Sequence, residues 1–179
     1  MSEEQARLKT GLIHVKTGNG PGKTTSAFGL ALRAAGRGLK VLIVQFMKKG
    51  EYGELKAVRY VPGIEVLQFG REEFVDKEGP EDIDVKLAEE ALRKAEEAIV
   101  SGRYDLVILD EVNVALDYGL VKLDEVLKLI RRKPKHVELV LTGRGAPPQL
   151  YEEADYVTEF NEIKHPWRKG IVGRKGIEY

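Results

Sequence analysis

The segment from Gly18 to Thr25, which reads GNGPGKTT, restricts what this chain can fold into more than any other part of the sequence. It lies between an apolar run that predicts a buried strand, 12–15, and a stretch, 24–37, whose residues Phe28, Leu32 and Ala35 follow helical spacing. A glycine-rich turn between a strand and a helix, ending in Gly-Lys-Thr-Thr, is the context that a phosphate-binding P-loop requires. The sequence therefore predicts a nucleotide-binding α/β fold.

The residue types in this turn have chemical reasons to contact phosphate. Glycines let successive backbone N–H groups curl around phosphate oxygens, and the helix that follows presents the positive end of its dipole. Lys23 is expected to reach the distal phosphates, and the hydroxyl of Thr24 to bind Mg²⁺, with Mn²⁺ as an alternative ion. The predicted ATP-binding residues of the turn are Gly18, Asn19, Gly20, Pro21, Gly22, Lys23, Thr24 and Thr25. The alternative interpretation is a glycine-rich turn that binds no ligand.

The turn is one residue shorter than the strict P-loop pattern. Four residues separate the two glycines in that pattern, which would place a glycine at position 17. Position 17 is Thr17, and the nearest glycine is Gly18. A shortened loop is expected to hold the phosphate chain differently from an ordinary ATPase, so hydrolysis of the γ-phosphate is a less automatic inference.

Two further motifs follow predicted strands. Asp110 and Glu111 come directly after the apolar run LVIL, and Arg144 stands between two glycines after the strand 138–142. Because ligands of a parallel sheet bind beyond the carboxyl ends of its strands, we expect the two acids near a phosphate-bound Mg²⁺ and Arg144 near anionic oxygens. The alternatives are a helix cap or solvated charge for the acids, and an arginine paired with a surface acid in a turn.

The remaining periodicity predicts strands that alternate with helices. Further strands are predicted at 40–46, 64–69, 106–109 and 156–160, with helices at 83–100, 123–132 and 149–154 and a loop or short helix in 48–59. This alternation predicts a three-layer, recombinase-like P-loop fold with a mostly parallel sheet of about six strands. We expect one domain over 1–179, with a flexible segment at 1–10 and an irregular tail at 161–179.

Charge and cysteine content exclude several classes of function. The chain has 29 basic and 29 acidic residues, so it offers no net positive charge for a nucleic acid or an anionic membrane. It has no cysteine, which excludes disulfides, thiolate metal sites and cysteine nucleophiles. The first ten residues hold no apolar run, so no signal peptide or membrane span is expected there, and we expect a cytoplasmic protein.

At this point the motifs resemble those of the P-loop type of ATP:corrinoid adenosyltransferase. The resemblance covers Gly11 to Tyr179 and is carried by TGNGPGKTTSAFGLALRAAGRG, KVLIVQFMKKG, LVILDEVNVALDYG, LTGRGAP, ADYVTEF and KHPW with KGIEY. It implies transfer of the 5′-deoxyadenosyl group of ATP to the Co(I) of a reduced corrinoid (cobalamin, cobinamide or cobyrinic acid diamide), in adenosylcobalamin biosynthesis or salvage. The resemblance also implies that triphosphate is the leaving group and that the short loop holds it in the reverse orientation compared with ordinary P-loop ATPases.

The resemblance also assigns residues. It implies Lys23, Thr24 and Glu111 as catalytic, with Thr24 and Glu111 as Mg²⁺ ligands supported by Asp110. For the corrinoid pocket, the family pattern has a Phe two residues before a Trp; Phe74 matches the Phe, whereas Asp76 stands at the Trp position.

Other aromatic residues could wall an apolar pocket or a subunit contact, and core packing is the equal alternative for each. They are Phe69, Tyr52, Tyr60 and Trp167 beside Phe74. The family is typically homodimeric. A partner flavoprotein is a candidate reductant, because the chain has no cysteine and no recognisable redox cofactor site.

Two other functions remain open at the level of sequence. A generic recombinase-like P-loop ATPase or small-molecule kinase would release or transfer the terminal phosphate. A nucleotide-sensing module would bind ATP without consuming it. Both would use the same P-loop.

Overall fold

The computed structural model describes residues 7–178 and consists of strands and helices that alternate along the chain. The strands are β1 (Ile13–Thr17), β2 (Val41–Phe46), β3 (Ile64–Phe69), β4 (Leu106–Asp110), β5 (Glu138–Thr142) and β6 (Tyr156–Glu159). The helices are α1 (Lys23–Ala35), α2 (Gly53–Val58), α3 (Asp82–Ser101), α4 (Val112–Asp117), α5 (Leu123–Arg131) and α6 (Gln149–Glu153). Part of the predicted segment 1–10 and the last residue of the predicted tail lie outside the described residues.

The six strands form one parallel sheet in the order β3-β2-β4-β5-β1-β6. Every residue of β2 and of β4 is buried, because both strands lie inside the sheet and are covered on both faces. Successive residues of β2 lie on opposite faces of the sheet. Val41 and Ile43 pack with α1 and α2, whereas Leu42 and Val44 pack with α3, α4 and α5. The predicted three-layer α/β fold with about six strands is confirmed.

Helix α1 packs on the sheet through small residues. Ala27, Phe28, Ala31 and Ala34 are buried, whereas Leu32 is 46% exposed. The predicted stripe was therefore right at Phe28 and wrong at Leu32. Alanines on the inner face let the helix axis approach the sheet closely, which fixes where the turn before α1 lies.

Most predicted elements are present, with shifts of one or two residues at their ends. The polar stretch 48–59 contains the short helix α2. Helix α4 was not predicted, although Val112, Ala115 and Leu116 have helical spacing. The tail from 161 contains one short 3₁₀ helix, Pro166–Lys169. None of the helices within 7–178 is both long and apolar enough to cross a membrane.

Candidate functional site

The P-loop turn is built against the backbone that follows β6. The N–H of Gly20 donates to the carbonyl oxygen of Phe160 over 2.7 Å. Gly18 has a φ of 94°, and a Cβ at this position would lie 2.4 Å from the same oxygen. No side chain fits such an approach, so the first glycines of the motif are required by the packing of the loop itself.

Lys23 lies inside the curve of this loop. Its Nζ donates to the carbonyl oxygens of Gly18 and Gly20, each over 2.7 Å, and the residue is 8% exposed. Burial lowers the pKa of Lys23, while the negative charges of Glu111 and Asp110 act in the opposite direction. The ammonium group is thus held at the centre of the turn that is predicted to surround phosphate.

Asp110 ends β4 and connects the P-loop with two other strands. Its Oδ1 accepts hydrogen bonds from the hydroxyls of Thr24 (2.9 Å) and Thr142 (2.7 Å). Its Oδ2 accepts from Gln45 (3.0 Å) and Lys48 (2.9 Å). The carboxylate is fully buried, which by itself would raise its pKa, but the charge of Lys48 and these hydrogen bonds outweigh burial and lower the pKa.

Glu111 follows in an unusual backbone conformation. Its φ is 66°, in the left-handed region that non-glycine residues rarely adopt, and its N–H donates to the hydroxyl of Thr142 over 3.0 Å. Its Oε1 lies 3.6 Å from the ammonium of Lys48, which also pairs with Asp110 at 2.9 Å. Burial raises the pKa of Glu111, opposed mainly by the charge of Lys48. Strain of this kind concentrates at functional sites.

Sequence reasoning missed Lys48, Gln45 and Asn113. Lys48 follows the end of β2, and its Nζ contacts Thr24 Oγ1 (3.2 Å) as well as Asp110. Asn113, fully buried in α4, donates to the carbonyl oxygens of Gly143 (3.2 Å) and Lys16 (3.3 Å). The end of β2 could have pointed to Lys48 and Lys49 together, since the same rule identified Asp110, but it does not select between them.

Arg144 lies in the turn after β5, as the sequence predicted. A Cβ on the preceding Gly143 would lie 2.9 Å from the backbone nitrogen of Val114, so α4 packs directly on this turn. Among residues 7–178, Arg144 has no ion pair, unlike the surface pair that the alternative interpretation required. Its side chain is exposed, and its charge acts on Lys23 and Glu111.

Phe74 lies in the loop between β3 and α3, and its side chain is completely exposed. The loop is anchored at both ends. Arg71 binds both carboxylate oxygens of Asp84 at 2.8 Å, and Lys77 pairs with Asp117 of α4 at 2.6 Å. The loop therefore carries an exposed aromatic ring and is joined to α4, the helix that follows Glu111.

The other aromatic residues singled out in the sequence do not all lie together. Phe69 packs on the face of the sheet that α3 covers, whereas Tyr52 packs on the opposite face with α1. Tyr60 and Trp167 are 88% and 60% exposed. A single pocket that includes both Phe69 and Tyr52 is therefore excluded by their positions on opposite faces.

Two surface grooves lie away from this site. One of about 290 Å³ separates α3 from α5, and one of about 200 Å³ lies between α2 and β3. Neither groove includes a P-loop residue, and the convergent charged groups lie elsewhere, so the carboxyl edge of the sheet is the candidate site. Within 7–178, no three His, Asp or Glu side chains are placed to hold a metal ion by themselves.

This sheet and loop define a protein of the P-loop α/β class. The fold is similar to that of the solved KaiC-like protein PH0186 from Pyrococcus horikoshii OT3, with a TM-score of 0.54 over 87% of this chain and 75% of that one. Only 13% of the aligned residues are identical, so the similarity concerns the fold alone.

Sequence relatives define the family. The family model described as ATP:corrinoid adenosyltransferase BtuR/CobO/CobP matches residues 9–179. A corrinoid adenosyltransferase of Pseudomonas aeruginosa is 40% identical over 98% of this chain and 87% of its own length. One of Escherichia coli K12 is 35% identical over 98% of this chain and 89% of its own. The chain belongs to the ATP:corrinoid adenosyltransferase family.

Proposed function

We propose that this protein transfers the 5′-deoxyadenosyl group of ATP to the Co(I) of a reduced corrinoid and releases triphosphate. Family membership supports the reaction class. The single structural observation that carries the proposal is the convergence of Lys23, Thr24, Asp110 and Glu111 at one edge of the sheet, where a triphosphate would be held. Membership of this family does not favour the alternative function of a generic P-loop ATPase or small-molecule kinase.

The reaction needs positioning more than proton transfer. The electron pair of Co(I) forms the bond to the 5′ carbon of ATP, and the bond from that carbon to the triphosphate oxygen breaks with its electron pair on oxygen. No proton moves, so no general base is required. The protein must align the two substrates and stabilise the negative charge that develops on the leaving triphosphate.

Lys23 and the loop amides are suited to stabilise that charge. The ammonium of Lys23 now contacts two loop carbonyl oxygens, and phosphate oxygens would be stronger partners in the same place. We assign the remaining P-loop residues, from Gly18 to Thr25, to the same phosphate contacts. Arg144, exposed beside the site, would bind the outer oxygens of the chain.

The hydroxyl and carboxylate oxygens at this edge fit a divalent cation such as Mg²⁺ or Mn²⁺. Thr24 directs its hydroxyl hydrogen to Asp110, which leaves oxygen lone pairs for a cation, and the ammonium of Lys48 lies there as a stand-in cation. Thr24 and Glu111 would hold the ion directly, with Asp110 orienting Thr24. Phosphate and water oxygens would complete the hard-oxygen coordination. When bound, the ion supplies charge neutralisation to the triphosphate.

Phe74 is our candidate for contact with the corrinoid. Its ring is fully exposed on a loop anchored beside α4, and a large exposed aromatic side chain is typical of a surface that binds a flat apolar partner. Phe69 is the weaker candidate, because it is partly buried against the core.

We further propose a homodimer, a separate flavoprotein reductant and a cytoplasmic location. The homodimer is supported by exposed apolar side chains in the tail, including Ile163 (94%), Trp167 (60%) and Val172 (80%). A separate reductant follows from a chain without cysteine. The cytoplasm is where ATP is available. Sedimentation of the purified protein tests the dimer.

An anaerobic assay tests the reaction. The protein is mixed with MgATP and chemically reduced cobalamin, the visible spectrum is followed for alkyl-cobalt formation, and the phosphate product is identified. Adenosylcobalamin with triphosphate is the expected result. Corrinoid-independent release of phosphate without cobalt alkylation would contradict the proposal.

A further inference from the structure

The ammonium of Lys48 lies among the three side chains assigned to the metal position. Its Nζ is 2.9 Å from Asp110 Oδ2, 3.2 Å from Thr24 Oγ1 and 3.6 Å from Glu111 Oε1. One monovalent cation of the protein therefore lies within 3.6 Å of an oxygen of each of the three side chains assigned to the metal. An ammonium ion and a metal ion cannot occupy this place together, because their charges repel and the oxygens are shared.

The backbone fixes Lys48 in this place. β2 ends at Phe46, and Met47 then takes a φ of 57°, which turns the chain at the edge of the sheet. Gly70 packs on this turn so closely that a Cβ would lie 2.3 Å from the backbone nitrogen of Lys48. Only 20% of the Lys48 side chain is exposed. The surrounding backbone therefore holds Lys48 in one place, whereas the neighbouring Lys49 is exposed.

The positive charge of Lys48 offsets the repulsion between the carboxylates of Asp110 and Glu111. Asp110 is fully buried and Glu111 is largely covered, and two carboxylates this close would repel each other and an approaching triphosphate if no cation lay between them. Lys48 supplies that positive charge without a metal ion. The same charge must leave when a divalent ion arrives.

We propose, resting on the metal position assigned above, that Lys48 is an exchangeable internal counter-ion: it neutralises Asp110 and Glu111 in the nucleotide-free protein and is displaced when the divalent cation binds with the triphosphate. Lys48 is therefore a positioning residue that controls the metal. Metal binding without nucleotide is disfavoured by competition with Lys48, and the metal enters together with the phosphates that complete its coordination.

Manganese binding tests this inference. Free Mn²⁺ is titrated into nucleotide-free protein and followed by electron paramagnetic resonance, for the wild type and for Lys48→Gln, which keeps a hydrogen-bond donor but removes the charge. Lys48→Gln should bind Mn²⁺ at least fivefold more tightly, and it should bind ATP in excess EDTA at least fivefold more weakly by calorimetry. Lys49→Gln is the matched surface control and should change neither affinity.

Two more variants test whether the positive charge of Lys48 is responsible for the effect. Lys48→Arg retains the charge and should keep the weak Mn²⁺ binding of the wild type, whereas Lys48→Met should shift it in the same direction as Lys48→Gln. Unchanged or weakened Mn²⁺ binding in folded Lys48→Gln and Lys48→Met would overturn the inference. If the wild type binds no Mn²⁺ even with ATP, the proposed metal position fails, and the inference with it. If Mn²⁺ binds normally with ATP but the Lys48 variants have no effect on its affinity, the proposed metal position stands and only the inference about Lys48 is refuted.

Discussion

The hydroxyl of Thr24 donates to Oδ1 of Asp110 over 2.9 Å, which joins the end of the P-loop to the end of a strand that lies 86 residues further along the chain. The same oxygen accepts from Thr142, so two hydroxyls of different elements share one carboxylate oxygen. The position of Thr24 therefore depends on the ends of β4 and β5 as well as on the P-loop.

Thr142→Val should destabilise the protein. The valine removes the donor to Asp110 and the acceptor of the Glu111 N–H, both buried in the sheet edge. The expected loss in the free energy of unfolding is about 1–3 kcal/mol, measured by urea denaturation. Thr142→Ser retains the hydroxyl and should lose less; a larger loss in Thr142→Ser than in Thr142→Val would mean that packing of the methyl group matters more than the hydrogen bonds.

Lys23→Ala should abolish turnover while the protein stays folded. Lys23 is the one P-loop side chain that places a positive charge within the loop, and loss of such a stabilising group costs about a hundredfold or more in rate. Turnover is measured by cobalt alkylation and folding by circular dichroism. The exposed Lys49→Ala is the control. A folded Lys23→Ala protein with normal turnover would refute the assignment of Lys23.

Glu111→Gln should raise the Mg²⁺ concentration needed for half-maximal turnover. The amide keeps the size of the side chain and its left-handed backbone, but it binds a divalent cation more weakly than a carboxylate does. A Mg²⁺ titration at saturating ATP measures the shift. Glu152→Gln, on the exposed face of α6, should give the wild-type curve. An unshifted curve for Glu111→Gln would count against its role as a ligand.

Phe74→Ala should weaken corrinoid binding more than ATP binding. Because the ring is fully exposed, its removal creates no cavity and the thermal stability should not change. The affinities for cobalamin and ATP are compared by calorimetry, with Tyr60→Ala as an equally exposed aromatic control. Equal losses for both ligands would place the corrinoid site elsewhere.

Asp84→Asn should reduce stability in a manner that depends on pH. Burial alone would raise the pKa of Asp84, but hydrogen bonds from Arg71 and from the Glu81 N–H, with the Arg71 charge, outweigh it and lower the pKa. A lowered folded-state pKa contributes stability that is complete above the unfolded value, about 4, and is lost as the pH falls through the folded value.

The difference between wild type and Asp84→Asn should therefore be full at neutral pH, about 1.5–3 kcal/mol for hydrogen bonds to a charged group, and should shrink below about pH 4. Urea denaturation at several pH values measures it. Asp82→Asn, exposed in the same helical turn, should show little effect. A difference that stays constant down to pH 2 would show that the charge of Asp84 does not contribute.

The sequence predicted the centre of the sheet well because β2, β4 and β5 are short, buried runs rich in branched apolar residues. The pattern around Asp110 and Arg144 located both groups at the correct edge, since parallel strands end together. Helix α4 escaped prediction because only six residues carry its periodicity. Leu32 was misplaced because the buried face of α1 is formed by Ala27, Phe28, Ala31 and Ala34, so that Leu32 lies on the exposed side.

Lys48 shows why part of the site could not be predicted. Nothing in the sequence near Lys48 distinguishes it from Lys49, and only the left-handed turn at Met47 and the close approach of Gly70 direct one inward and leave the other in solvent. These are contacts between residues distant in sequence. Periodicity reports which face of an element is buried, but it does not report which of two adjacent polar side chains meets a carboxylate across the sheet.

The contact between Gly20 and Phe160 has a consequence for biosynthesis. During translation the glycine-rich loop leaves the ribosome well before the backbone that holds it, because Phe160 lies far beyond Gly20 in the sequence. A nascent chain that stops short of Tyr156 has neither β6 beside β1 nor an acceptor for the Gly20 N–H. The chain can therefore acquire its finished glycine-rich loop only after the segment through Phe160 has been synthesised.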